Sequence, residues 1–314
     1  MLEFIIRRVV LASAVILIVS FAIFVLSRSV PTSPALLVLG ADAGPSQIAA
    51  FEAQYGLDRP VLAQYLNWLT GLFRNLDFGV SYVSGRPVGD ELLRTLPVTL
   101  ELIVVSMVLC LIISIPLGVA SAAFPGGVLD HGLRIFSVLG VSTPGFWLGL
   151  VLILLFSVNA GWFPPGDLPP LTDGVVPHLR ALALPSFCLA IYYTAIISRM
   201  TRSAVLEVLG QDYVRTAVAM GLSKPRIWLV YVLKNALIPI VSVAAMACGY
   251  MFGWAIVIEQ VFNIPGICRA LLTAIFSRDY NVVQAAVLVI TTAFVLLNLV
   301  ADTAFRLLNP RVSW

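Results

Sequence analysis

The sequence predicts an all-α polytopic membrane protein with six transmembrane helices. Hydrophobic residues make up 60% of the 314 residues and charged residues only 11%, and the mean hydropathy is +1.00. So few charged side chains cannot cover the surface of a soluble core. The net charge of +3 is also far below the basic excess of a nucleic-acid binder. We therefore expect a chain that is embedded in membrane lipid and binds no nucleic acid.

Six stretches of the chain contain no Asp, Glu, Lys or Arg and are long enough to cross the hydrocarbon core of a bilayer. The second and third are longer than one crossing needs, and proline and glycine at 125–127 and at 162–166 predict where their helices end. The six predicted transmembrane stretches cover residues 9–27, 102–129, 135–166, 181–198, 235–258 and 280–301.

The distribution of charge between these stretches predicts their orientation. Segments on the side of the N-terminus carry eleven basic and five acidic residues, net +6, and the remaining segments are net −3. Because basic loops stay in the cytoplasm, both termini are predicted there. Arg7 and Arg8 before an apolar run also fit a secretory signal peptide, but the length of the run and the five later stretches favour an uncleaved first helix.

The stretches divide the chain into three parts. Residues 1–30 hold the N-terminus and the first span, 31–97 form an extracytoplasmic segment, and 98–314 form the core with the remaining spans. The middle segment is too long to be a simple connector. Apolar and aromatic residues at helical spacing over 60–73 predict a helix within it. This helix fits either the membrane interface or an outer platform for a soluble partner.

The predicted cytoplasmic loop at 199–234 has a distinctive pattern. Two short helices are predicted at 202–209 and 211–220, with glycines after each, and Ser223 with Pro225 predicts the start of a third helix. The small-residue helix at 213–222 suits insertion into a groove of another protein. Attachment to anionic lipid headgroups would also explain the basic side chains of the loop, but not its run of small residues.

We do not expect this chain to catalyse a reaction or to bind a metal. Carboxylates within the spans, which ion-coupled carriers use, are nearly absent, and no GxxxxGK[ST] motif is present, so an ATPase would be a separate chain. An intramembrane hydrolase, the remote alternative, needs a nucleophile with a base, whereas His131 and His178 are expected to be solvated loop residues on opposite faces. No pair of His or Cys residues has metal-ligand spacing. We predict no catalytic residue, no metal site and no cofactor in this chain.

Ten short motifs occur in order along nearly the whole chain. They are RR at 7–8, YGLDRP at 55–60, LPVTLEL at 96–102, PLG at 116–118, PGFWLG at 144–149, a stretch from MTRS at 200–203 to GL at 221–222, NALIP at 235–239, EQVFNIPG at 259–266, RDY at 278–280 and LNPR at 308–311. With these motifs the chain resembles the first permease subunit of the peptide/nickel class of bacterial ABC importers.

The resemblance implies a type I ABC importer permease in the bacterial inner membrane. Its partners would be a second, homologous permease, two ATPase subunits or domains that bind ATP and magnesium, and an extracytoplasmic substrate-binding protein. The loop at 199–234 would contain the coupling helix that docks on the ATPase. By resemblance that role falls on Tyr213, Arg215, Thr216, Ala217, Gly221 and Leu222.

The end of the fifth predicted span suggests an outer gate. Glu259 ends this span, and Pro265 with Gly266 predicts a rigid turn that would fold the following loop back over the pathway. We assign Glu259, Phe262, Pro265 and Gly266 to this gate, although Glu259 also fits a carboxylate that is simply solvated or paired with Arg269. Two cargoes stay open, namely di- or oligopeptides and nickel or a metal chelate.

Overall fold

The computed structural model describes residues 2–29, 33–40 and 42–308, and within these ranges the regular structure is helical apart from one isolated antiparallel bridge between Val80 and Pro87. The chain forms two compact units. The first contains Met1–Thr99 and Pro265–Val295, and the second contains Leu100–Ile264 and Leu296–Trp314. Pro31 and Thr32 of the predicted extracytoplasmic segment and Asn309–Arg311 of the last motif lie outside the described residues, and so does the C-terminus whose side was predicted.

The first unit is built from seven helices or parts of helices. They are α1 (Leu2–Arg28), α2 (Pro34–Leu39), α3 (Pro45–Tyr55), α4 (Val61–Asn75), the start of α5 (Val88–Ala123), α12 (Ile267–Ser277) and most of α13 (Tyr280–Leu308). The helix predicted over 60–73 is therefore present as α4. The predicted boundary between residues 97 and 98 lies inside α5, and the three-part division stays a prediction.

Aromatic side chains hold α4 against α1. The Tyr65 ring meets the rings of Phe21 and Phe24 edge to face, at centroid distances of 5.2 and 5.1 Å. The Tyr65 hydroxyl also lies 2.9 Å from the Ser20 hydroxyl, so its polar end is satisfied although the side chain is buried. A buried polar contact inside an aromatic cluster fixes how α4 rests on α1.

A second aromatic cluster of this unit surrounds the loop at 79–87. Tyr82 packs with Phe51, Ala35 and Tyr280, and burial raises the pKa of its hydroxyl to about 12. Beside it, the Ser81 hydroxyl donates a 2.5 Å hydrogen bond to the buried carboxylate of Asp279. The two contacts connect the loop to the start of α13.

The second unit contains the rest of α5, the end of α13 and the remaining helices. They are α6 (Val128–Ser142), α7 (Gly145–Leu152) with a π-helical extension (Ile153–Asn159), α8 (Val175–Leu209), α9 (Asp212–Ala219), α10 (Lys224–Arg226) with a π-helical extension (Ile227–Leu233), and α11 (Lys234–Val261). The segment predicted as a separate helix at 202–209 is the continuous end of α8.

Within the described residues, five helices are long and apolar enough to cross a membrane, and a sixth crossing is present if the bent pair α6 and α7 is one span. This count agrees with the six predicted stretches and confirms an all-α polytopic fold. The third stretch is not one straight helix, because α6 and α7 meet at 102°. Pro144 lacks the N–H that a continuous helix needs, and Thr143 before it is extended, as residues before proline usually are.

A bare glycine allows α5 and α8 to come into close contact. A Cβ atom on Gly118 would lie 2.5 Å from the carbonyl oxygen of Ser198 and 2.6 Å from Cβ of Thr201. Both distances are far shorter than van der Waals contact. Close approach of helices at small residues is the usual way in which membrane helices gain packing energy, since lipid removes the hydrophobic driving force between them.

One buried carboxylate joins α5, α6 and α8. Asp130, in the first turn of α6, accepts two hydrogen bonds from the Arg202 guanidinium of α8, at 2.5 and 2.9 Å. Its other donors are the Ser121 hydroxyl at 2.9 Å, the Gly126 N–H at 3.0 Å and Arg134 at 3.1 Å. The Asp130 side chain is fully buried, so these donors replace the water that its charge has lost. We call this set of contacts the Asp130 clamp.

Gly118→Ala should destabilise the protein because α5 and α8 must separate to make room for one methyl group. Overpacking of this kind costs about 1–3 kcal/mol. The measurement is the temperature at which the detergent-purified protein loses its monodisperse gel-filtration peak. Gly132→Ala is the matched control, because a Cβ there meets nothing within 4 Å and alanine favours a helix. Equal midpoints for the two variants would contradict the packing described.

Asp130→Asn should lower the same midpoint by about 5 °C or more, since it leaves the Arg202 charge without its partner and turns an amide group toward donors. Arg134→Gln removes another donor to the same carboxylate, but the Arg134 side chain is 60% exposed and exposed pairs contribute little. Its midpoint should therefore stay close to that of the wild type. If Arg134→Gln is as damaging as Asp130→Asn, the clamp does not depend on burial.

Candidate functional site

The loop between α8 and α11 contains the short helix α9, which ends in a well-defined motif. The Leu222 N–H donates to the Ala217 carbonyl at 3.3 Å, and the Gly221 N–H donates to the Val218 carbonyl at 3.0 Å. Gly221 itself has φ +72°, the left-handed conformation that this helix ending requires and that glycine adopts without strain. The predicted glycine joint is therefore a helix C-cap, and it fixes where the chain turns toward α10.

The six residues predicted for a coupling helix fall on different sides of α9 and its end. Tyr213, Arg215 and Thr216 are exposed, and Tyr213 is 42% accessible. Ala217 is buried together with Val214, so its side chain packs within this chain and cannot form an outer contact surface. Gly221 is exposed and Leu222 half-buried. Arg215 lies 3.6 Å from Asp212, and both side chains are largely exposed.

The outward surface of α9 is thus made by residues on the side opposite Val214 and Ala217. It includes the predicted Arg215 and Thr216 together with Ala219, which was not predicted. The exposed Met220, 72% accessible, extends this surface at the end of the helix. We call Arg215, Thr216, Ala219 and Met220 the α9 face.

Three of the four residues predicted for an outer gate are buried. In the second unit Glu259 is fully buried and its carbonyl accepts the Ile264 N–H at 2.9 Å. The buried Phe262 ring lies against Gly149, where a Cβ would come within 3.2 Å of it. In the first unit Pro265 is exposed, while Gly266 is buried and precedes α12, whose Ile267 N–H donates to the Thr99 hydroxyl at 2.9 Å. The chain turns at Phe262 and Asn263, the latter with φ +53°, and not at Pro265 and Gly266 as predicted; a gating role for this segment stays a prediction.

The expectation that the two histidines are solvated loop residues is wrong for His178. This residue lies in the first turns of α8 and is buried. One ring nitrogen is 2.8 Å from the Glu101 carboxylate of α5 and the other is 2.6 Å from the Pro169 carbonyl. His131 lies in α6 and is exposed. The two nitrogens of His178 are therefore used in holding α5, α8 and the preceding loop together.

No ligand set for a metal is visible. Over the part of the chain that the structure describes, no group of three or more His, Cys, Asp or Glu residues lies close enough to hold a metal ion. Sequence reasoning missed Asp130 and the pairing of Glu101 with His178, because each depends on contacts across many residues of sequence.

Comparison with known proteins places this architecture in a family. Residues 114–314 match the family described as binding-protein-dependent transport system inner membrane component, and residues 1–103 match the N-terminal family of such components. The oligopeptide transport system permease protein AppB of Bacillus subtilis is 36% identical, and the alignment covers all of both chains. The glutathione transport system permease protein GsiC of Salmonella choleraesuis is 35% identical, again over all of both chains.

A solved structure supports the fold. An inward-facing structure of the MetNI methionine ABC transporter matches with a TM-score of 0.56 and 20% identity, over 69% of this chain and 96% of that chain. The family matches and the full-length relatives together lead to one conclusion. The chain belongs to the binding-protein-dependent transport system inner membrane components, and it is a multi-pass permease subunit of an ABC importer in the inner membrane.

Proposed function

We propose that this chain is the permease subunit of an ATP-driven importer that carries peptides. The observation that carries the proposal is the end-to-end similarity to permeases named for oligopeptide and glutathione transport. Glutathione is itself a small peptide, so the two names agree on the chemical class of the cargo. Nickel or a metal chelate, the other cargo that the sequence left open, is less directly supported by these relatives.

The proposal assigns ATP hydrolysis to other chains. ATP and magnesium would be bound by two ATPase subunits or domains, and this chain would hold no cofactor of its own. A second, homologous permease would complete the pathway, because one bundle with apolar faces encloses a polar route poorly. An extracytoplasmic binding protein would deliver the peptide.

The α9 face is the proposed contact with the ATPase. It is a short exposed helix, it presents the small side chain of Ala219 beside Thr216, and its inward side is fixed by Val214 and Ala217. A force that acts on such a helix is passed to the spans on both sides of it, since rigid elements move as bodies. The buried Ala217 supports the helix from within.

Ala219→Trp should reduce ATP-driven uptake by the complete transporter about tenfold, because a bulky ring on the α9 face keeps the ATPase from close contact. Ala219 tests this contact better than Gly221, where any side chain is strained by the positive φ, or Ala217, where a larger side chain disturbs the chain's own packing. The measurement combines uptake with the amount of ATPase that purifies with this chain.

Ala49→Trp, which adds the same ring to an exposed alanine of α3, is the matched control. It should leave both the uptake and the recovery of the ATPase close to wild type. Wild-type values for Ala219→Trp as well would place the contact with the ATPase elsewhere.

Peptide cargo is tested on the cognate binding protein. Native mass spectrometry of that protein, purified from its host, should detect bound peptides that disappear on denaturation. In a competition experiment on the binding protein, unlabelled peptides should displace the bound cargo, whereas nickel chelates should not. A nickel or chelate adduct without any peptide would overturn the proposed cargo.

A further inference from the structure

The break between α6 and α7 opens a cavity inside the second unit. Thr143 and Pro144 are both extended, with ψ 122° and 129°, so the backbone leaves the helical path for two residues. Alongside this backbone lies a cavity of about 290 Å³ bounded by the end of α6, the start of α7, α8 and α11. In membrane proteins, non-helical backbone at such depth is found where it is buried in protein or lines a cavity.

Aromatic rings form one wall of the cavity. Tyr192 of α8 and Trp254 of α11 lie with ring centroids 5.7 Å apart and planes tilted by 34°. The Tyr193 ring meets Tyr192 edge to face at 5.1 Å. The Trp254 ring rests 3.9 Å from the position that a Cβ on Gly145 would occupy, so a bare backbone lies directly beside the ring. Trp254 is 42% exposed and therefore has a free face.

The chemical character of the lining restricts the ligand. None of the residues that line this cavity carries an acidic, basic or imidazole side chain. A charged group would lose its water here without gaining a partner, which is costly. The lining instead combines aromatic and aliphatic side chains with the non-helical backbone at 143–144, whose carbonyl oxygens can accept hydrogen bonds.

The size of the cavity sets a second limit. At about 290 Å³ it lies at the small end of ligand pockets. It can take one large side chain and the adjacent peptide bonds, but not an entire oligopeptide. The volume fits a ligand that moves through the transporter and places one side chain at a time in the cavity.

We propose that this cavity is a side-chain site on the transport route: it binds one uncharged aromatic or large apolar side chain of the passing peptide. The side chain packs against Tyr192 and Trp254, and the carbonyl oxygens at 143–144 accept hydrogen bonds from the flanking amides of the peptide. The inference rests on the proposed peptide cargo and adds a preference to it. The transporter therefore favours peptides with an aromatic residue over peptides of the same length that contain only alanine.

Uptake of two peptides by the complete transporter tests the site. The probes are isotope-labelled Ala-Phe-Ala and Ala-Ala-Ala, and the readout is the ratio of their uptake rates. Trp254→Leu should lower this ratio about fivefold, because an aromatic pair contributes more than the area that it buries. Tyr192→Leu should act in the same direction, and Tyr192→Phe, which keeps the ring, should retain the wild-type ratio.

Trp162→Leu is the matched control. Trp162 is also exposed, at 58%, and also pairs with another ring, that of Phe156, but it does not line the cavity. The ratio should stay at the wild-type value in this variant. A purely structural role of Trp254 would lower the uptake of both peptides equally and leave the ratio unchanged, and that result overturns the proposal.

Cross-linking on the wild-type transporter gives a measurement that no folding defect can confuse. A tripeptide with a central azidophenylalanine should attach within 140–145, 188–193 or 254–258 on illumination. Attachment only elsewhere overturns the site and leaves a lipid chain or the second permease as its occupant, while peptide import itself stands. If the wild-type transporter imports neither tripeptide and its binding protein carries no peptide, both the site and the proposed function are overturned.

Discussion

The absence of water in the bilayer core is the constraint on which the rest of this structure depends. Every backbone N–H and carbonyl at that depth must find a partner in the protein, and helices achieve this without help from other segments. The long apolar helices of both units follow from this requirement. The break at Thr143 and Pro144 is the place where it is relaxed, and there the backbone lines a cavity beside α8 and α11.

The spans could be predicted from the sequence because they depend on a local property. A run without charged residues must become a helix wherever it crosses the membrane, and the glycine and proline at 125–127 mark the end of α5 at Ala123. The bend in the third span was in principle readable from Pro144. It was missed because the run continues to residue 166 without a charge, so composition alone indicated a single long segment.

Contacts between distant segments could not be predicted in the same way. Glu101 and His178 are 77 residues apart, and Arg202 lies 72 residues after Asp130. No periodicity links such residues. Taken alone, each of these polar residues also fits an exposed position at the end of a helix. The direction of Ala217 could have been predicted, because α9 is amphipathic, with Val214 and Ala217 on one side and Asp212 and Arg215 on the other. The sequence predicted the α9 helix itself, but the resemblance that assigned its contact residues did not separate the buried side from the exposed side.

Helix α8 connects the proposed docking surface with the cavity. Its Tyr192 and Tyr193 line the cavity, its Arg202 belongs to the Asp130 clamp, and its last residue, Leu209, lies three residues before α9 begins. Tyr192 and Arg202 are about 15 Å apart along the helix at its ordinary rise per residue.

The clamp also fixes the start of α6, whose other end, Ser142, reaches the same cavity. Between these ends the Ser137 hydroxyl donates to the Ala195 carbonyl of α8 at 3.3 Å, and a Cβ on Gly140 would approach the Ala195 Cβ to 3.0 Å. α6 and α8 are therefore held together along their length. Trp254 of α11 contacts α8 in the cavity through its ring. Two rings in contact can shift relative to each other more easily than the buried pair Asp130 and Arg202 can separate. We therefore expect a displacement at α9 to change the contact between the Trp254 and Tyr192 rings more readily than it changes the Asp130 clamp.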